Sequence, residues 1–278
     1  MCFVIEKGFK KDPKSFALFL FFQFTLRYTS HNKHTAMTIT FRLGNTVQIF
    51  RSGITSNKKI AAPKEKIVQS FSFAKAQFNE VAKRMSDGTG GFNEFFELDA
   101  EVCLDCPFSR NSGNGGCYTH KITQYFGFIS SLKSQVRKFS TFEEIPEYSE
   151  EIYNEILKIS KDKFVRFGSY GEPSLHPLNL VKGVSEASKN WTGYTHQYFR
   201  KPEYSKYFMA SAHNSRQAET AKSKFDYRSF IATRDNKEVN AVICPASKEG
   251  GFKSNCSACG LCSGGEGKGK VNVVILEH

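Results

Sequence analysis

The segment Lys163–His196, "KFVRFGSYGEPSLHPLNLVKGVSEASKNWTGYTH", contains the pattern that decides the fold. It opens with a β-like run at 163–169, continues through a segment of helical or loop character at 178–189, and closes with a second β-like run at 191–196. A strand, a helix and a strand in this order predict a βαβ unit with parallel strands.

The same alternation extends over most of the chain. Further β-like runs are "KYFMASA", "DYRSFIAT", "NAVIC" and "KVNVVILEH", with "SRQAETAKS" as a helical or loop segment between two of them. Upstream, the apolar spacing predicts a strand from Met37 and amphipathic helices over 65–85, 122–136 and 146–160. We therefore predict an α/β fold: a mostly parallel sheet from repeated βα units, which can close into a partial or complete TIM-like barrel, with cysteine-rich metal-binding loops.

The first 36 residues differ from the rest. They contain seven of the 27 phenylalanines and contribute +4 of the formal net charge of +12. Their apolar run "FALFLFF" is far shorter than the roughly 20 residues of a membrane span. The following "SHNKHTA" is a poor signal-peptide cleavage site. We interpret 1–36 as a doubtful leader, Met37 as the expected true start and 37–278 as a single α/β metal-binding domain, and we expect no membrane partner.

Composition limits the functional classes. A chain of 278 residues with 40% hydrophobic content can build a core without disulfides. Seven of the eight cysteines lie in two tight groups, which favours metal ligands in a reducing, cytoplasmic compartment over disulfides. The charge of +12 suits a polyanionic partner such as nucleic acid, although the lysines are spread along the chain as on an ordinary solvated surface.

The first cysteine group is "CLDCPFSRNSGNGGCY", with Cys103, Cys106 and Cys117. Three thiolates leave one open position on a tetrahedral zinc ion, and on a cubane cluster they leave one iron without a protein ligand. Reactive sites keep such an open position. The alternative is a structural zinc site that His120 completes.

The second group is "CPASKEGGFKSNCSACGLC", with Cys244, Cys256, Cys259 and Cys262. The C-x-x-C-x-x-C run with a remote Cys-Pro resembles bacterial ferredoxin ligation, although here Cys244 precedes the triplet. A four-thiolate iron–sulfur cluster (4Fe–4S) is the prediction. Zinc and redox disulfides are the alternatives.

Polar residues follow the ends of several predicted strands. Glu172, His196, His213 and Cys244 each come at or just after such an end. Because parallel strands bring their carboxyl ends to one edge, we expect these four residues on one rim. The structural alternatives are a helix-capping Glu172 and histidines that serve packing alone.

Together these features resemble radical SAM enzymes that carry an auxiliary cluster. The resemblance implies that the three-cysteine site holds a 4Fe–4S cluster whose open iron binds S-adenosylmethionine. In "YGEPSLHP", Gly171 and Glu172 would face the methionine part of this cofactor, with Glu172 orienting it. Tyr194, His196 and His213 would line the pocket of an unknown substrate. The spacing C-x-x-C-x10-C differs from the usual C-x-x-x-C-x-x-C of that family.

The combination "CPxS…CY", "GYTHQ" and "CPAS…CGLC" also resembles phage proteins of the gene-product-88 type, over about Met37 to His278. This implies a phage or prophage origin and the cytoplasm of a bacterial host. The alternative function is nucleic-acid binding with structural zinc or iron–sulfur sites. In that case the aromatic and basic residues of "YFRKPEYSKYF", at 198–208, would stack on bases and contact phosphates.

Overall fold

Five strands form the first of two sheets. They are β1 (Thr38–Leu43), β2 (Thr46–Ile54), β3 (Lys66–Ala74), β4 (Phe164–Tyr170) and β5 (Asn190–Thr192), hydrogen-bonded in that order. The pairs β1–β2 and β2–β3 are antiparallel, whereas β3–β4 and β4–β5 are parallel. The βαβ unit that the sequence predicts therefore makes up the parallel half of this sheet.

Helices cover both faces of the first sheet. The helices are α1 (Lys75–Asp87), α2 (Ala100–Cys103), α3 (Ile122–Lys138), α4 (Glu150–Ser160), α5 (Leu178–Ala187), α6 (Ser215–Phe225) and α7 (Cys256–Cys259). On one face Phe50 and Phe167 pack with residues of α4 and α5. On the other, Ile49 and Phe73 pack with residues of α1 and α3. Burial on both faces explains why β2 and β3 are apolar almost throughout.

The second sheet consists of parallel strands in the order β6–β7–β8–β10–β9. They are β6 (Tyr194–Thr195), β7 (Met209–Ala212), β8 (Ser229–Thr233), β9 (Val242–Ile243) and β10 (Val273–Leu276). Only Gly193 separates β5 from β6, and its carbonyl accepts a hydrogen bond from Met209 N at 3.0 Å. A Cβ atom there would lie 2.4 Å from the ring of Phe208, so the junction requires glycine. The chain thus passes from one sheet to the other without a loop.

One predicted element is wrong in its first half. The pattern over 65–85 predicts one helix, but 66–74 form β3, and α1 begins at Lys75. Ile67, Val68 and Phe71 are β-branched or aromatic, and β3 pairs with β2 on one side and β4 on the other. The other predicted strands and helices are confirmed, as is the mixed α/β class with largely parallel pairing.

The computed structural model describes residues 36–89, 93–109, 117, 119, 122–233, 240–265 and 270–276. The predicted leader, apart from Ala36, lies outside these residues, and so does His120. Residues 36–278 form one compact unit of the chain. Within the described ranges, no helix is both long enough and apolar enough to span a bilayer.

Candidate functional site

The turn after β4 packs tightly against its neighbours. Gly171 has a φ of +78°, and a Cβ atom at this position would lie 2.8 Å from Ser72 Cβ and 2.9 Å from the Ser72 carbonyl oxygen. The next residue, Glu172, donates its backbone N–H to the Val102 carbonyl at 2.7 Å. The turn therefore joins the ends of β3 and β4 to helix α2, which carries Cys103.

The Glu172 side chain links the ends of two parallel strands. It is 4% exposed. Its Oε1 accepts hydrogen bonds from Ser174 N at 3.1 Å and Ser174 Oγ at 2.9 Å, and its Oε2 accepts one from His196 N at 3.1 Å. Burial raises the pKa of this carboxyl, while hydrogen bonds, including one with the Thr195 side chain, oppose the shift. Glu172 also caps the 3-10 helix Pro173–Leu175, as its capping alternative predicts.

Two histidines lie beside Glu172 at this edge. The rings of His196 and His213 are stacked with their centroids 5.6 Å apart, and the Phe108 ring lies 4.6 Å from that of His213. His196 Nε2 is 4.0 Å from Cys106 Sγ. Burial, followed by the neighbouring His213, lowers the pKa of His196 to about 4, although Asp105 opposes the shift. The His196 ring is therefore neutral at pH 7.

The first cysteine group adjoins these histidines. Burial makes the largest contribution to the raised pKa values of Cys103, Cys106 and Cys117, and it brings that of Cys106 to about 12. The charges of Cys106 and Cys117 further raise the pKa of Cys103. All three are thiols rather than disulfides. The structure thus gathers the three sulfurs close enough to interact, although residues 110–116 lie outside the described part.

Asp99 is a member of this site that the sequence analysis missed. It is 0% exposed, and its Oδ2 accepts hydrogen bonds from Cys103 Sγ at 3.2 Å and from the Tyr170 hydroxyl at 3.4 Å. Gln77 Nε2 in turn donates to the Tyr170 oxygen at 2.7 Å. Asp99 precedes Cys103 by four residues at the start of α2, so helical spacing was the available signal.

The second cysteine group is also brought together. Burial is the main cause of the raised pKa values of Cys244, Cys256 and Cys262, with that of Cys256 at about 11. The charge of Cys259 contributes to all three shifts. The Tyr194 hydroxyl donates a hydrogen bond to Cys262. Tyr194 thus belongs to this group, whereas the resemblance placed it in a pocket with the two histidines.

The second group lies at the starting ends of the strands of the second sheet. Cys262 packs with Met209 and Val273, which are the first residues of β7 and β10. The expectation that Cys244 shares a rim with Glu172 and the histidines is wrong for this reason. Strand β9 has two residues and pairs with the first two of β10, so Cys244, which follows β9, reaches only this level.

The two groups differ in their charged neighbours. Arg166 lowers the pKa of Cys256, and Lys59 lowers that of Cys244. Arg228, 6% exposed, interacts electrostatically with Cys262 and donates hydrogen bonds at 2.8–3.0 Å to three backbone carbonyls, those of Leu261, Gly264 and Val271. The first group instead has carboxylates beside it, as described above. The second group therefore favours a bound species of negative charge, and the first favours a cation.

A third histidine, His176, lies buried behind the β4 turn. Its Nε2 is 2.9 Å from Ser70 Oγ, which also accepts a hydrogen bond from Gly168 N at 2.9 Å. Its Nδ1 has no hydrogen-bond partner among the described residues. Burial lowers the pKa of His176 to about 3. This ring is neutral and structural, and the sequence analysis did not single it out.

Among the residues that the structure describes, no three or more His, Cys, Asp or Glu side chains are arranged as a metal-binding group. Comparisons of the chain with known protein families, with curated proteins and with solved structures find no match. The functional argument therefore rests on the geometry and chemistry of the two cysteine groups.

Proposed function

We propose that this chain is a phage-type iron–sulfur protein of radical SAM-like architecture. In this proposal Cys103, Cys106 and Cys117 form the reactive site, and the C-terminal four cysteines form an auxiliary 4Fe–4S site. The observation that carries the proposal is the position of the three thiols. They lie beside Glu172 and His196 at the carboxyl ends of β4 and β6, where parallel α/β folds place their reactive groups.

The strand arrangement supports a partial barrel. Strands β3, β4 and β5 are parallel in the first sheet, β6, β7, β8 and β10 are parallel in the second, and Gly193 joins the two sets. A succession of parallel strands across both sheets is what a barrel wall requires. The helices that follow β3, β4 and β7 supply the βα units.

The chemistry of the donors fits the proposed cluster. Thiolates are the ligands of iron–sulfur clusters, and each group offers them in a largely buried setting. When loaded, such a cluster would supply one electron for cleavage of S-adenosylmethionine. Binding would require the thiols to lose their protons and draw closer together.

We assign positioning and binding roles to the neighbouring residues. Glu172 holds the backbone of His196 in place, so it would orient the cofactor through the rim that it fixes. His196 and His213, stacked beside Phe108, would line the pocket against an uncharged part of the substrate. Gly171 would let the cofactor approach the backbone of the turn, where its missing side chain leaves the β4 and β3 ends in contact.

The test is oxygen-free purification, reconstitution with iron and sulfide, and an assay for 5′-deoxyadenosine. Cys103→Ser should remove only the first cluster, and Cys256→Ser only the second. A loaded protein that neither binds nor cleaves S-adenosylmethionine would exclude the radical mechanism. Colourless protein with stoichiometric zinc would replace the clusters with the zinc alternative.

A second candidate, nucleic-acid binding, is favoured by one surface feature. Phe199 is 42% exposed, and the Arg200 guanidinium lies 5.1 Å from its ring centroid. Such a pair suits stacking on a base with phosphate contact. Tyr204, Tyr207 and Phe208 of the same segment are core residues. Salt-dependent binding of a single-stranded oligonucleotide that Phe199→Ala weakens would support this candidate, and no binding at low salt would remove it.

A further inference from the structure

We infer that Asp99 supplies the fourth protein ligand at the first cysteine group. The inference rests on the proposed function in one respect, that this group binds metal. It goes beyond that function because the radical SAM resemblance leaves the fourth position open. With Asp99 in place, three thiolates and one carboxylate would form a closed set of four donors.

The distance between Asp99 and Cys103 suits a shared metal ion. At present Cys103 Sγ donates to Asp99 Oδ2 over 3.2 Å. Around a tetrahedral ion, a sulfur at about 2.3 Å and an oxygen at about 2.1 Å are about 3.6 Å apart. A separation a few tenths of an ångström larger would therefore admit an ion in place of the shared proton.

The carboxylate is already held in position. The backbone N–H of Cys103 donates to the Asp99 carbonyl at 2.8 Å, which fixes the two residues on one turn of α2. The Tyr170 hydroxyl contacts the same Oδ2, and Gln77 contacts that hydroxyl. Hydrogen-bonding partners of this kind orient ligands in metal sites.

Charge gives a second, independent reason. Asp99 is fully buried, and its negative charge reaches Cys117 as well as Cys103. Once the thiols lose their protons, a buried carboxylate beside several thiolates is stable only with a positive ion among them. No such requirement applies to the second group, which has Arg228, Arg166 and Lys59 nearby.

The consequence concerns access to the metal. A small oxygen or nitrogen ligand, such as the amino-carboxylate of S-adenosylmethionine, would have to displace the Asp99 carboxylate. The site would therefore be closed at rest and would open only when such a ligand binds. A carboxylate is the donor that an incoming ligand of this class can replace most directly, since it is harder than the three thiolates.

The test uses the full-length reduced protein and Co²⁺ as the probe, without oxygen. Thiolate-to-cobalt absorption reports binding, and its loss in Cys103→Ser identifies the first group's share. The informative pair is Asp99→Asn, which can still accept the Cys103 hydrogen bond, and Asp99→Cys, which offers a thiolate. Glu101→Gln, on the exposed side of the same helix, is the matched control.

We expect Asp99→Asn to weaken Co²⁺ binding at the first group by at least about tenfold. Asp99→Cys should retain the ion with stronger thiolate absorption, and Glu101→Gln should match the wild type. The reverse pattern, binding kept by Asn and lost by Cys, would overturn the inference and leave Asp99 as a hydrogen-bond acceptor. Equal binding in all variants would also overturn it.

Two outcomes separate this inference from the proposed function. Wild-type protein that assembles iron–sulfur clusters but takes up Co²⁺ only at the second group overturns the inference alone. Wild-type protein that takes up neither overturns both. If neither Asp99 variant folds, X-ray absorption of the Co²⁺-loaded wild type decides the matter, since an oxygen ligand supports the inference and all-sulfur coordination overturns it.

Discussion

Replacement of His176 by Gln should remove a large part of the acid sensitivity of the fold. The folded-state pKa of His176 is about 3, because the ring is buried against Ser70 and the aromatic rings of Phe50 and Phe167. The ordinary pKa of histidine is 6.5. The unfolded chain therefore takes up a proton below pH 6.5 that the folded protein accepts only near pH 3.

The sign and size of the effect follow from these two pKa values. The stabilising contribution of the neutral ring is complete above pH 6.5 and is lost as the pH falls toward 3. One proton bound by the unfolded state alone changes the free energy of unfolding by about 1.4 kcal/mol per pH unit. Between pH 7 and pH 5 the loss from His176 is about 2 kcal/mol.

Urea unfolding of metal-free, reduced protein at pH 7, 6 and 5 measures this loss. The variant should be less stable than the wild type at pH 7, because Gln fills the site poorly, but the gap should narrow by about 2 kcal/mol at pH 5. Other titrating groups cancel in the comparison. Parallel pH dependences of the two proteins would refute the assignment of a neutral, buried His176.

Three further perturbations address the two cysteine groups and the β4 turn. Gly171→Ala should lower the free energy of unfolding by about 2 kcal/mol or more, and Gly44→Ala by less, because both have positive φ but only Gly171 contacts β3; equal urea midpoints would contradict the close packing. Arg228→Met removes the donors that hold three loop carbonyls, so Cys262 should react several-fold faster with a disulfide reagent, and an unchanged rate would show that the loop holds without them. Tyr194→Phe should weaken zinc binding at the C-terminal group by about tenfold, measured by chelator competition, and spare the first group; a loss at both would contradict their separation.

The fold was predictable where local pattern and tertiary packing agree. The unit from β4 to β5 has apolar strand residues such as Phe164 and Val165, followed by a helix with Leu180 and Val184 at helical spacing, and the structure buries them. Strand β3 was not predictable in this way. Its apolar residues also fit a helical period, and pairing with two strands distant in sequence determines its conformation.

The candidate site was predictable only as far as sequence neighbours determine it. Cysteines within one short loop, such as Cys256 and Cys259, end up together because the chain leaves them little choice. The separation of Cys244 from the histidine edge depends on the two-residue length of β9, which composition does not specify. Asp99 was missed because its contact with Tyr170 joins positions 71 residues apart.

Strand β6 has a consequence for the flow of charge through the molecule. Tyr194 at its start hydrogen-bonds Cys262, and His196 just past its end lies 4.0 Å from Cys106. Two residues of extended backbone span only about 7 Å. If both groups hold redox centres, this dipeptide is a wire between them, and reducing equivalents can enter at the C-terminal centre while the catalytic centre stays shielded from external donors.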